Sequence, residues 1–356
     1  MNVHLQPDSF KKYSLILIYS LFVIAILAWG MEFYFERLYG DLTRIGNFPE
    51  RYFGWQAQQP SIPAEQYKDY SFAEADIIVI GDSFSVTRNW QTRLIADGLK
   101  VTTIQWKDLN NSEFLPGNLG EALRTAGFRG RYIIIECVER VFPRLMKSLV
   151  TQQHPIVKHD IIIDSSFPLY PFTRRERISL DKLNGGGWGF KALYNAIKLF
   201  LKLPDKYLKS GAVQAINFDG CQLFSHRLCN YAIFVDGDFK KETFSSIANV
   251  LTVNKNLQSV GIQPIWMIVP DKATVYLGYG ALNQYPYENI WQLFAQYPEL
   301  IAPDLAAAFI PKSRTVKDFY LPNDTHLSTN GFLYLGDFMT QVMRKTMADQ
   351  SKSFSR

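Results

Sequence analysis

Apolar residues fall along this chain in distinct patterns. From Tyr13 to Met31 they form a run, YSLILIYSLFVIAILAWGM, that contains no charged residue. Its length suits a bilayer span, and it lacks the polar face that a surface helix of a globular core carries. From Asp76 onward, short apolar runs alternate with longer amphipathic stretches. The runs predict strands at Ile77–Ile80, Val101–Gln105, Tyr132–Glu136 and Pro264–Val269, with a short one near Leu300–Ala302. The stretches between them predict helices around Trp90–Asp97, at Glu121–Ala126, from Glu139, at Lys241–Val260 and at Glu288–Gln296. A last helix is predicted at Asn330–Met347. Such alternation predicts an α/β class, a mostly parallel sheet flanked by helices.

Two regions escape this pattern. Residues 32–70 are aromatic and irregular, with Pro49, Pro60 and Pro63, and read as a stalk and a first packed layer. Residues 160–238 hold Phe167, Tyr170, Phe172, the GGGWG run Gly185–Gly189 and a cationic stretch, Lys191–Lys202. In that stretch Leu193, Ile197 and Phe200 recur at helical spacing. This region reads as an insertion into an α/β domain spanning 71–349. It is a packed subdomain, a glycan-binding lid or a surface lying on a membrane. Residues 1–12 and 350–356 read as tails.

Charge sets the orientation of the apolar run. Lys11 and Lys12 precede it, while Glu32 and Glu36 follow, which places the amino terminus in the cytoplasm. No small-x-small cleavage site follows, so the run is expected to stay as an uncleaved signal anchor. Everything after Met31 then lies outside the cytoplasm, in the periplasm of a cell with two membranes, anchored to the inner membrane. The composition, 47% hydrophobic and 20% charged, excludes a disordered chain and an all-membrane protein. The net charge of +5 is unclustered, which argues against a nucleic-acid partner. An aromatic share of 15% suits carbohydrate-facing surfaces as well as cores. Cys221 and Cys229 are close enough to close a small loop in an oxidising compartment, or are two ordinary buried cysteines. Cys137, after the apolar run Tyr132–Ile135, reads as a buried free thiol.

Candidate chemistry sits at two places. In DIIVIGDSFS (Asp76–Ser85) a predicted core strand stops at the turn formers Gly81, Asp82 and Ser83. Ligands of open α/β sheets bind at the carboxyl ends of strands. Ser83 is therefore placed as a nucleophile, or it caps the helix carrying Trp90 and Leu94. In YLPNDTHLSTNG (Tyr320–Gly331) a loop opens the last helix. An activated serine needs a base and a group that orients the base, and His326 with Asp324 supplies both. Of five histidines only His326 has an aspartate two residues away in such a loop; His159 has Asp160 beside it but no turn signature. The alternative is that Asp324 and Ser328 cap the last helix and His326 is a surface residue.

GDSFS after a strand, with a late D-x-H loop, resembles the SGNH (GDSL-type) hydrolase superfamily, whose fold is flavodoxin-like. ECVERVF (Glu136–Phe142), PDKATVY (Pro270–Tyr276) and DTHLS (Asp324–Ser328) resemble signatures of the alginate O-acetylation proteins AlgJ and AlgX. The resemblance implies Ser83 as nucleophile, His326 as base and Asp324 as its partner. It departs at three points: the DTH motif follows the serine motif here, Leu327 replaces a tryptophan, and the oxyanion-hole asparagine has no counterpart at Glu136–Arg140. Backbone amides at Ser83 and in Asn110–Gly120, including Gly117 and Gly120, are expected to hold the oxyanion instead. Arg140 either binds substrate or pairs with Glu139, and Lys272 either faces the cleft or caps a strand end. The resemblance implies a serine O-acetyltransferase acting on a cell-surface or secreted polysaccharide, without cofactor or metal, fed with acetyl groups by a membrane-bound acyltransferase. An esterase of the same fold, or a non-catalytic glycan-binding or assembly protein, is the alternative.

Overall fold

The computed structural model describes residues 7–35, 40–53, 58–106, 119–151, 188–235, 247–277 and 289–354. Its strands, in chain order, are β1 (Ile77–Gly81), β2 (Val101–Gln105), β3 (Tyr132–Val138), β4 (Lys209–Ser210), β5 (Val213–Asn217), β6 (Tyr231–Val235) and β7 (Gln263–Val269). The chain divides into two units. One holds 1–56, 174–235 and 322–324; the other holds 57–173, 236–321 and 325–356.

The larger unit is the α/β core. Its sheet runs β2-β1-β3-β7, every neighbouring pair parallel. All five residues of β1 and all seven of β3 are buried. Their continuous apolar runs reflect a sheet covered on both faces. Ile78, Ile80, Ile133, Ile135, Trp266 and Ile268 belong to one cluster, closed over by Leu123, Val253, Leu257 and Phe294 from flanking helices. Each such side chain contributes roughly 1.5–3 kcal/mol by leaving water. The last helix, Thr329–Phe354, packs tightly on the helix Gln91–Ala96: a side chain at Gly336 would strike the Trp90 carbonyl. Strand order reverses at β1, with β2 on one side and β3 on the other. That reversal opens a crevice at the carboxyl end of β1.

Several elements differ from the sequence reading. Near Leu300–Ala302 there is a single parallel bridge, Ile265 to Ile301, in place of a strand. Helices Lys272–Leu277 and Leu305–Thr315, the latter with Pro311 inside it, have no counterpart in the sequence reading. The helix expected at Lys241–Val260 runs Ile247–Ser259, with 241–246 outside the described residues. The last helix continues to Phe354 through most of the expected tail.

The smaller unit joins the amino-terminal segments to the later part of the expected insertion. The helix Pro7–Tyr34 extends past the apolar run at both ends. Within it Phe10–Glu32 is almost wholly exposed and is long and apolar enough to cross a membrane. Strands β4, β5 and β6 form an antiparallel sheet. It packs Val213, Ala215, Tyr231 and Ile233 against Leu42, Phe48, Phe53 and Leu199. Cys221 and Cys229 form a disulfide, while Cys137, in the larger unit, is a buried free thiol. Residues 152–187, the first part of the expected insertion, lie outside the described residues.

Candidate active site

Ser83 stands one residue past the turn that ends β1. It is exposed and opens the short helix Ser83–Val86. The cap of that helix is Asp82, whose Oδ1 accepts the Phe84 N–H at 2.9 Å. The helix Gln91–Ala96, the alternative place for a Ser83 cap, has Trp90 at its cap position and no side-chain cap. The capping role therefore falls to Asp82 and leaves the Ser83 hydroxyl to other partners.

One of those is His326. Its Nε2 lies 2.7 Å from Ser83 Oγ. The imidazole is half-buried against Phe84, ring centroids 4.9 Å apart, so the residue after Ser83 fixes the plane of the ring. The loop bearing it is closed by backbone pairing: Leu321 N–H donates to the His326 carbonyl, and Ser328 N–H to the Phe319 carbonyl, each at 3.0 Å. Tyr276 Oη accepts the Tyr320 N–H at 3.1 Å, and Tyr320 Oη donates to the Pro270 carbonyl at 2.6 Å. Gly331 lets the last helix approach this loop, since any Cβ there would strike the Phe319 carbonyl. Ser328 Oγ accepts the Gly331 N–H at 3.3 Å and so caps that helix, the role the alternative reading gave it. Asp324 Oδ2 accepts the backbone N–H of Asp41 at 2.8 Å, within the smaller unit. Thr325 Oγ1 lies 3.5 Å from His326 Nδ1.

Beneath Ser83 lies a buried polar network that the sequence reading missed. Glu136, inside the apolar strand β3, accepts through Oε2 from the Asp82 N–H at 2.9 Å and from Ser85 Oγ at 2.7 Å. Trp90 Nε1 donates to Ser85 Oγ at 3.2 Å. Asp82 Oδ2 accepts the Val138 N–H at 2.9 Å, tying the tip of β1 to β3. Gly81 makes room for this arrangement, because a Cβ there would strike Glu136 and Ser85. Glu136 is fully buried and its Oε1 has no partner. Burial, and then the charge of Asp82, push its pKa well above the ordinary carboxyl range. The available signal was a lone glutamate in the run YIIIECV.

A second acidic cluster joins the ends of β3 and β7. Glu139, 4% exposed, accepts the Asp271 N–H at 2.9 Å and the Thr274 hydroxyl at 2.7 Å. Burial and the neighbouring Asp271 raise its pKa to about 8. Arg140 forms an ion pair with Asp271, two residues past the end of β7, and its charge also acts on Glu139. Lys272 is buried and donates through Nζ to the Leu321 carbonyl at 2.7 Å, bracing the histidine loop. Gly120 is buried in the helix Leu119–Thr125 where a Cβ would meet Val260, which gives it a packing role. Gly117 lies outside the described residues. Among the described residues no group of histidine, cysteine and acidic side chains could hold a metal.

Comparison with protein-family models, with curated proteins and with solved structures returns no match.

Proposed function

We propose that the protein is a membrane-anchored serine acyltransferase that moves acetyl groups onto a cell-surface or secreted polysaccharide, on the periplasmic side of the inner membrane. The observation that carries this reading is the 2.7 Å contact between His326 Nε2 and the exposed Ser83 Oγ at a sheet's switch point. In this mechanism His326 takes the Ser83 proton as the hydroxyl oxygen attacks an acyl carbonyl. The imidazolium then gives that proton to the leaving group, and an acetyl ester remains on Ser83. A sugar hydroxyl, deprotonated by the same imidazole, attacks this ester and carries the acetyl group away. The resemblance assigns the orienting of this base to Asp324, whose Oδ2 also accepts the Asp41 N–H.

The first residue of a helix has no intrahelical acceptor for its N–H, so the Ser83 amide is available to the developing oxyanion. A side-chain donor from the end of β3 is not, because Glu136 is spent under the turn. The fold and the resemblance of the motifs to the SGNH superfamily and to alginate O-acetylation proteins support the acetyl chemistry. The apolar helix supports the anchor. Incubating the full-length protein in detergent with p-nitrophenyl acetate, with and without an oligosaccharide acceptor, tests the reading. Acceptor-dependent release of p-nitrophenol that vanishes in Ser83→Ala is the expected result. Release unaffected by Ser83→Ala would overturn it, and release indifferent to every acceptor would assign an esterase.

A further inference from the structure

The helix Trp188–Phe200 has two unlike faces. On one, Trp188, Ala192 and Ala196 cluster with Phe35 just past the apolar span. Gly189 permits the contact, since a Cβ there would lie 2.6 Å from Met31 Cβ and 2.7 Å from the Glu32 nitrogen. Asn195 Nδ2 donates to the Asn47 carbonyl at 3.3 Å, and Leu199 joins the core of the smaller unit. The helix is thereby fixed against the end of the amino-terminal helix where its apolar run stops.

The other face is apolar and uncovered. Phe190, Tyr194, Ile197 and Leu201 are exposed at steps of four, three and four residues, which place them in one stripe. Phe200 beside the stripe is 78% exposed, and Tyr207 beyond it 50%. Three exposed lysines, Lys191, Lys202 and Lys206, flank the stripe. Aromatic and aliphatic side chains on one face, bordered by lysines, are the composition of a helix that lies in a membrane interface. Lysine stems reach from such a position to phosphate groups.

We propose that Phe190, Tyr194, Ile197, Phe200 and Leu201 lie in the headgroup layer of the membrane that the Pro7–Tyr34 helix crosses, with Lys191, Lys202 and Lys206 on anionic phospholipids. The occupant follows from continuity: this helix is packed on the end of the span, so its uncovered face begins where the bilayer ends. The inference rests on the reading of the amino-terminal helix as a span, and is independent of the chemistry at Ser83. The stripe is a second hold that limits how far the smaller unit tilts about its single span.

The test uses the full chain in vesicles, on a Cys137→Ser background, with an environment-sensitive fluorophore on one introduced cysteine. Labels at Ile197→Cys, Leu21→Cys within the span, and Lys255→Cys on an exposed helix of the larger unit are compared. Nitroxide lipids placed at headgroup depth are expected to quench the label at 197 at least about twofold more than that at 255. Emission at 197 is expected to shift further to the blue with phosphatidylglycerol than in phosphatidylcholine alone. Substituting Lys191, Lys202 and Lys206 together by glutamine removes that lipid dependence. Equal quenching at 197 and 255 overturns the proposal, as does a blue shift at 197 without lipid quenching, which would mark a protein contact. A shift indifferent to anionic lipid overturns the assignment of the lysines. A label at 21 left unquenched by nitroxides placed deep in the acyl chains removes the span itself, a failure distinct from that of the stripe.

Discussion

His326 Nε2 and Ser83 Oγ are in hydrogen-bond contact although 243 positions separate them in the chain. Two local devices bring them together. Asp82 turns the chain at the end of β1, and the pairing of Phe319–Leu321 with His326–Ser328 presents the imidazole. Residues that act as a unit fail as a unit. Ser83→Ala and His326→Ala are each expected to lower acyl transfer by roughly 10³-fold or more, the double variant being hardly worse. Asp324→Asn is expected to retain some activity, because it disturbs the orientation of the base and leaves the base in place. Initial rates with p-nitrophenyl acetate check all four variants.

Glu136, whose pKa burial raises, makes a prediction that separates shape from charge. Glu136→Gln keeps an oxygen for the Asp82 N–H and the Ser85 hydroxyl, so stability and activity at neutral pH are expected to stay near wild type. Glu136→Ala strands both buried donors, each at a cost of about 1–3 kcal/mol, and loosens the turn that carries Ser83. Urea unfolding and the rate with p-nitrophenyl acetate, measured on both variants, check the pair.

Glu139 sets a dependence on pH. Its carboxyl binds a proton more tightly in the folded protein, where the pKa is about 8, than at its ordinary value of 4.5. Its contribution is fully present below about pH 4.5 and is lost as pH rises through about 8. Glu139→Gln removes this loss, so the gap in urea midpoint between the variant and wild type is expected to move in the variant's favour from pH 5 to pH 8. A gap that stays constant across that range contradicts the assignment.

Much of this was legible in the residues, and the reasons are local. The strands β1, β3 and β7 announce themselves because a parallel strand covered on both faces must be apolar throughout. The pairing of Ser83 with His326 was legible because a serine at a strand end and a histidine in the loop before the last helix are short-range signals. The roles of Glu136, Arg140 and Lys272 were not, because each is decided by a partner on another strand or loop: Asp82, Asp271 and the Leu321 carbonyl. The smaller unit was hidden for the same reason. Its sheet is built from the later segment and its core is completed by Leu42, Phe48 and Phe53, a pairing no local pattern announces.

The disulfide between Cys221 and Cys229 closes a loop with a sequence separation of 8. Chain-entropy arguments assign such a loop about 2.5 kcal/mol. Thiol labelling of the unfolded, unreduced protein is expected to find one reactive cysteine, Cys137, and reduction to lower the melting temperature of the smaller unit. Three labels before reduction would refute the bridge.

Lys11 and Lys12 ahead of the apolar run predict an amino terminus in the cytoplasm. Alkaline phosphatase fused after Phe35 is expected to be active, and a cytoplasmic fluorescent protein fused there to be dark. The reverse pattern would place the Ser83 site in the cytoplasm and remove the periplasmic reading.

The most direct test of the account is the covalent intermediate. Full-length protein is mixed with p-nitrophenyl acetate, quenched in acid within the first turnover and digested for peptide mass analysis. The account predicts one added acetyl group on the peptide containing Ser83, absent in Ser83→Ala, and lost from the wild type when an acceptor sugar is added before quenching. An unmodified Ser83 peptide under conditions in which p-nitrophenol is released, or acetylation that survives in Ser83→Ala, would contradict it.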